Sequence, residues 1–133
     1  MDNHKPYNEN LGHPHDFLVE YQILTESENG RKTLPYQGIR WDFWYEHKEH
    51  EENHLFMIWP EFIDESGNVI KQKDKPVPRV GKAKMWIVND KMRKYHQGKI
   101  KIGMKCYGRE GARTVVNYEV IEIVGLMTNP ASE

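Results

Sequence analysis

One cysteine in 133 residues, Cys106, excludes an intramolecular disulfide as a source of stability. Its place in an alternating apolar segment reads as a buried, inert thiol and not as a nucleophile. No apolar run approaches the roughly 20 residues that a membrane-spanning helix needs. The first sixteen residues are polar and hold no signal-peptide core, so a soluble, cytoplasmic protein is the expectation. Net charge is scarce as well: 19 basic against 20 acidic residues exert no global pull on nucleic acid or membrane. Two catalytic signatures are missing, the Gly-x-x-x-x-Gly-Lys-Ser/Thr phosphate loop and the Gly-x-Ser-x-Gly turn, which excludes a P-loop nucleotide site and a nucleophile elbow. No segment carries a convincing helical period.

What the chain has instead is alternation between turn signals. Hydrophobic content is 38%, and 11% aromatics supply large side chains for a single core. The first strand reads as Phe17 to Leu24, with Phe17, Val19, Tyr21 and Ile23 on one face. Glu26 to Arg31 follows as a turn closed by Asn-Gly. A second strand over 38–45 turns Ile39, Trp41, Phe43 and Tyr45 one way and Arg40, Asp42 and Trp44 the other. The apolar run Leu55 to Trp59 suits a strand covered on both faces, with Pro60 limiting ladder donation. Lys71 to Pro78 reads as a charged loop, Val80 to Asn89 as a strand, and Asp90 to Gly98 as a polar connection. Ile100, Ile102, Met104 and Cys106 alternate with polar or small residues, and Val115 to Val124 is rich in β-branched residues. The six residues Arg109 to Thr114 join these two strands as a hairpin loop, in which Gly111 is free to take a positive φ. The expected fold class is all-β, an antiparallel β-barrel of about six strands with little helix. The expected division is a flexible arm at 1–16, a barrel over 17–126 and a tail at 127–133.

The near-neutral total hides an asymmetry. Residues 42–65 hold eight acids and one base, Lys48, whereas residues 71–105 hold twelve bases and two acids. Converging on one face, those bases would favour an anionic partner; as outward positions of one-sided strands they are simply solvated.

Laid out as strands, the chain resembles the C-terminal barrel, the third domain, of translation elongation factor Tu. That family carries Glu-Gly-Gly-Arg-x-Thr-Pro and Gly-Tyr-Arg-Pro-x-Phe; here the positions read Glu28-Asn29-Gly30-Arg31-Lys32-Thr33-Leu34 and Gly38-Ile39-Arg40-Trp41-Asp42-Phe43. The family's Arg-Glu-Gly-Gly-Arg-Thr-Val is matched from Arg109 to Val115, with Ala112 for the second glycine. Val116-Asn117-Tyr118 then departs from the family's Gly-Ala-Gly. The resemblance implies a barrel over Phe17 to Leu126. It also implies contacts to tRNA and to a nucleotide-exchange factor, transferable here to Arg31, Arg109, Glu110 and Gly111. The family's GTPase domain has no counterpart in this chain.

Candidate binding residues are therefore Arg31, Arg40, Trp44, Lys101, Arg109, Glu110, Gly111 and Arg113. Trp44 is singled out because it points away from Trp41 and Phe43. The polar face Lys99, Lys101 and Lys105, together with the hairpin tip, is expected to form one continuous positive surface. His47, His50 and His54 lie beside four glutamates and are weak metal candidates, without a standard ligand signature. Three functions follow. The first is a non-catalytic binding module for a protein or tRNA-like RNA partner, without GTPase activity or cofactor. The second is an interaction or inhibitory protein, of the kind that neutralises a toxin, using the acidic segment 46–65. The third is a small metal-dependent enzyme.

Overall fold

Residues 3–46 and 55–131 are described by a computed structural model. Alternation builds the sheet as the sequence suggests. On β1 (Phe17–Ile23), Phe17, Val19, Tyr21 and Ile23 are buried while Glu20 and Gln22 face solvent. The other strands are β2 (Asp42–Trp44), β3 (Ile58–Ile63), β4 (Val80–Ile87), β5 (Lys105–Glu110) and β6 (Arg113–Ile123). They form one six-stranded sheet in the order β2-β5-β6-β1-β4-β3, every pair antiparallel.

The sheet curls into a barrel around an aromatic core. Phe43 stacks on Tyr118 at 5.8 Å between ring centres, and Tyr21 meets Phe62 edge-on at 5.0 Å. Its two edges meet at a seam. Phe43 and Phe56 each donate a backbone N–H to the other's carbonyl, both at 2.9 Å. Further along, the buried amide of Gln37 substitutes for a neighbouring strand. Its Oε1 accepts from Phe62 N at 2.9 Å, and its Nε2 donates to Phe62 O at 2.8 Å and Ile70 O at 2.7 Å. Backbone groups that an open edge would leave unpaired are thereby satisfied.

Several boundaries differ from the sequence reading. The second strand is confined to Asp42–Trp44, although Trp41 and Tyr45 keep their expected inward face. β3 begins at Ile58 and contains Pro60, which an edge strand tolerates because one side makes no ladder. Ile100 is buried, but Ile102 is 66% exposed and lies in a turn, so the alternation there is not a strand before Lys105. Asp90–Gln97 is a helix, α2, capped where the Asn89 side chain accepts from Lys91 N at 3.1 Å. Its buried face is Arg93 and His96, polar residues that no hydrophobic period registers.

The ends differ most. From His4 onward the segment expected to be a loose arm packs against the outer face of β3 and β4, with a short helix α1 (Tyr7–Leu11). His4 Nε2 lies 2.6 Å from Glu61 Oε2, which also accepts from Tyr7 N at 2.9 Å, and Trp86 Nε1 donates to Glu61 Oε1 at 3.1 Å. Tyr7, His13 and His15 surround the Trp86 ring at 5.8–6.2 Å. Asp16 is fully buried and binds Arg93 Nε at 2.8 Å, Ile87 N at 2.8 Å and Asn129 Nδ2 at 3.0 Å. Asn129 also donates to Pro14 O at 2.8 Å, and Arg93 Nη1 donates to the Pro130 carbonyl. The expected tail is thus tied to the expected arm.

Burial, and to a lesser degree the Lys84 ammonium, pulls His15 down from the usual 6.5 to about 4, while Asp16 opposes the shift. Between those values the folded protein binds fewer protons than the unfolded chain, so stability should fall as pH drops from about 6.5 toward 4. Because the ring is partly exposed, solvent screening keeps the slope below the ~1.4 kcal/mol per pH unit of one fully linked proton. Melting temperatures at neutral and mildly acid pH should converge in a His15→Gln variant; an unchanged difference would locate the acid sensitivity elsewhere.

Candidate binding rim and outer sheet face

The hairpin between β5 and β6 is tighter than six residues. Glu110 pairs with Arg113, which leaves only Gly111 and Ala112 as the loop, and Gly111 takes φ 63°. This is the positive φ of a two-residue hairpin, which glycine adopts at no steric cost. A register shift between Gly108 and Arg109 sets Arg109 opposite Thr114.

The other matched loop follows β1. Glu26–Glu28 forms one 3-10 turn closed by a capping box, Thr25 Oγ1 accepting from Glu28 N and Glu28 Oε1 accepting from Thr25 N. Asn29, not Gly30, is the left-handed residue, at φ 66°. Gly30 is required for a different reason: a Cβ there would lie 2.5 Å from the Leu24 carbonyl oxygen. The turn aims Arg31 across the rim at Glu110, and the two form an ion pair. Glu110 Oε2 also accepts from the indole of buried Trp41 at 2.8 Å, and Arg31 Nε donates to Thr33 O at 3.1 Å. Arg31 and Glu110 are therefore a clasp between the two loops.

The remaining candidates separate. Arg109 lays its guanidinium over Trp44, 4.7 Å from the ring centre, and the Tyr107 ring lies 5.8 Å from that of Trp44. Trp44 does face away from the core, but it is half-buried. Arg113 is exposed at the tip. Arg40 stacks over Trp59 at 4.5 Å, away from this cluster. Lys101 sits in the turn before β5, whose Gly103 N donates to Val120 O. That is roughly 20–25 Å along β6 from the hairpin tip. Lys105 pairs with Glu119, and Lys99 lies over the Tyr95 ring at 3.9 Å. The continuous positive surface expected from these lysines and the hairpin tip does not form.

Between them runs a groove of about 730 Å³ on the outer face of β4, β1, β6 and β5. Glu20, Gln22, Lys82, Lys105, Tyr107, Asn117 and Glu119 line it. The register explains the pattern: Lys82, Glu20, Glu119 and Lys105 are consecutive cross-strand partners, and Gln22, Asn117 and Tyr107 form the next row, continued by Trp44. None of these lining residues stood among the candidate binding residues, although Lys105 belonged to the expected positive face. Their signal in the sequence was the polar set that alternates with the buried residues of β1 and β6.

The acidic segment 46–65 is not one surface, because Glu61 is buried against His4 and Trp86. His47, His50 and His54 lie outside the described residues. Among the described residues no group of three His, Cys, Asp or Glu is arranged to hold a metal ion. Burial pushes the Cys106 thiol up, away from the reactive thiolate. Among the described residues no helix is long and apolar enough to cross a membrane. In comparisons with known proteins, no family model and no curated protein matches this chain.

Proposed function

We propose that the chain is a non-catalytic binding module that holds a protein partner on the outer face of its barrel, between the β5–β6 hairpin and β4. The observation that carries this reading is the groove, concave and open, with apolar surface between its polar side chains, leading to the Trp44–Arg109 stack at its rim. Its charges are of both signs, with Glu20 and Glu119 side by side and Lys82 and Lys105 flanking them, as suits a protein surface of mixed polarity. A phosphodiester chain would meet Glu20 and Glu119 there, with Lys105 already engaged by Glu119. The ligand contacts expected of Arg31 and Glu110 are taken up by the clasp between those two residues, which leaves the groove and the Trp44–Arg109 stack as the binding surface.

A photo-reactive residue in place of Asn117, exposed on the groove wall, tests the reading in the source cell, with Glu65 in an exposed turn as the control position. A discrete protein adduct at position 117, absent at 65 and unaffected by nuclease, is the expected result. An adduct that disappears with nuclease would transfer the face to RNA. Equal labelling at both positions would remove the groove as the site.

A further inference from the structure

We propose that Arg109, held flat on Trp44, is the receptor for an acidic side chain of the partner protein; this rests on the binding-module reading above. Three features of the rim point to a carboxylate. The Arg109 Nε is buried and finds no hydrogen-bond acceptor among the described residues. A buried donor without an acceptor is disfavoured, and a carboxylate that displaces the cover over the guanidinium edge would supply one. Secondly, the neighbouring acids among the described residues do not supply it. Glu110 is committed to Arg31 and Trp41, and Asp42, although directly across the strand pair, makes no ion pair with Arg109 within 4.0 Å among the described residues. Thirdly, the stack on Trp44 fixes the plane of the guanidinium before any ligand arrives. That lowers the entropy lost on forming the paired N–H···O contacts by which arginine takes a carboxylate.

The surroundings favour a carboxylate on a protein over the phosphates of a nucleic acid. Exposed Arg113 is a further cation at the hairpin tip outside the clasp. Two guanidinium groups suit a single acidic side chain, whereas a phosphate backbone needs a longer basic track. The adjoining face instead presents Asp42, Glu119 and Glu20.

Arg109 can be tested with N-acetylglutamate α-methylamide, which offers one side-chain carboxylate, using N-acetylglutamine α-methylamide and inorganic phosphate as comparisons. The indole N–H resonance of Trp44 is the reporter in the full chain. The expected result is a saturable shift with the glutamate probe, none with the glutamine probe, and at least about tenfold weaker binding in Arg109→Lys, which keeps the charge and loses the fork. Absence of a saturable shift up to about 100 mM probe would overturn the proposal, because even a weak directed pair binds in that range. Phosphate binding tenfold tighter than the carboxylate would overturn it too. The two readings fail separately. A position-117 adduct kept at full yield in Arg109→Lys sinks the receptor role and leaves the module. Loss of the wild-type adduct sinks the module, while the titration still decides Arg109.

Discussion

An Asp16→Asn variant should lose about 3–5 kcal/mol of unfolding free energy, the cost of leaving a buried charge without its partner. Asp16 and Arg93 are both fully buried. Each Asp16 oxygen is engaged twice: Oδ1 with Arg93 Nε and Asn129 Nδ2, Oδ2 with Ile87 N and Arg93 Nη2. An asparagine offers one acceptor atom for these donors and turns an N–H₂ group toward another. Arg93 would keep the Ile87 carbonyl at 2.8 Å and Asp90 at 2.6 Å, but Asp90 is 44% exposed and compensates the charge poorly. For the same reason Asp90→Asn should cost no more than about 1 kcal/mol. Urea unfolding of the two variants measures both. Equal, small losses would mean that water reaches Arg93 and that the network is not closed.

Glu61→Ala should cost about 3 kcal/mol and free the N-terminal segment as well. Glu61 is 1% exposed and takes three contacts, from His4 Nε2, Tyr7 N and Trp86 Nε1. Each buried donor stranded by its removal costs about 1–3 kcal/mol, reduced where the segment lifts and water enters. Detachment should therefore be visible apart from the global loss, as faster amide exchange at Tyr7 with β1 and β6 still protected. Unchanged exchange at Tyr7 beside a large global loss would show that the rings around Trp86 suffice to hold the segment. Glu61→Gln, which keeps one acceptor, should fall between.

The barrel was legible because its strands obey a period of two. The inward sets on β1 and at Trp41, Phe43 and Tyr45 are those that the alternation selects. What could not be read is polar residues that become buried only through partners far away in the chain. Asp16 meets Arg93 77 positions later, and His4 meets Glu61 57 positions later. A window of ten residues sees only a polar arm in the first case and an acidic stretch in the second. Helix α2 escaped for a related reason, its inner face being Arg93 and His96. At the site, the arginines were legible as residues but not as pairs. Arg31 and Glu110 lie 79 positions apart, and their pairing turns one expected ligand contact into an internal clasp. The run Ile100 to Met104 misled in the opposite direction, since alternation is also compatible with a turn that buries one residue and exposes the next.

The place of β1 in the sheet has a consequence for synthesis. β1 is made first, yet its neighbours are β4 and β6, and Leu18 faces Glu122 across the second of these ladders. Both edges of this apolar strand therefore stay unpaired while most of the chain is being translated, and one stays so until the last strand has left the ribosome. Contacts this distant in sequence close slowly, because loop-closure entropy is lost before they form. A chain interrupted before Arg113 retains β1 with an open flank, the kind of edge that pairs with other chains. Vectorial folding from the N-terminus is thus closed to this topology, and the barrel assembles only once its full length is free.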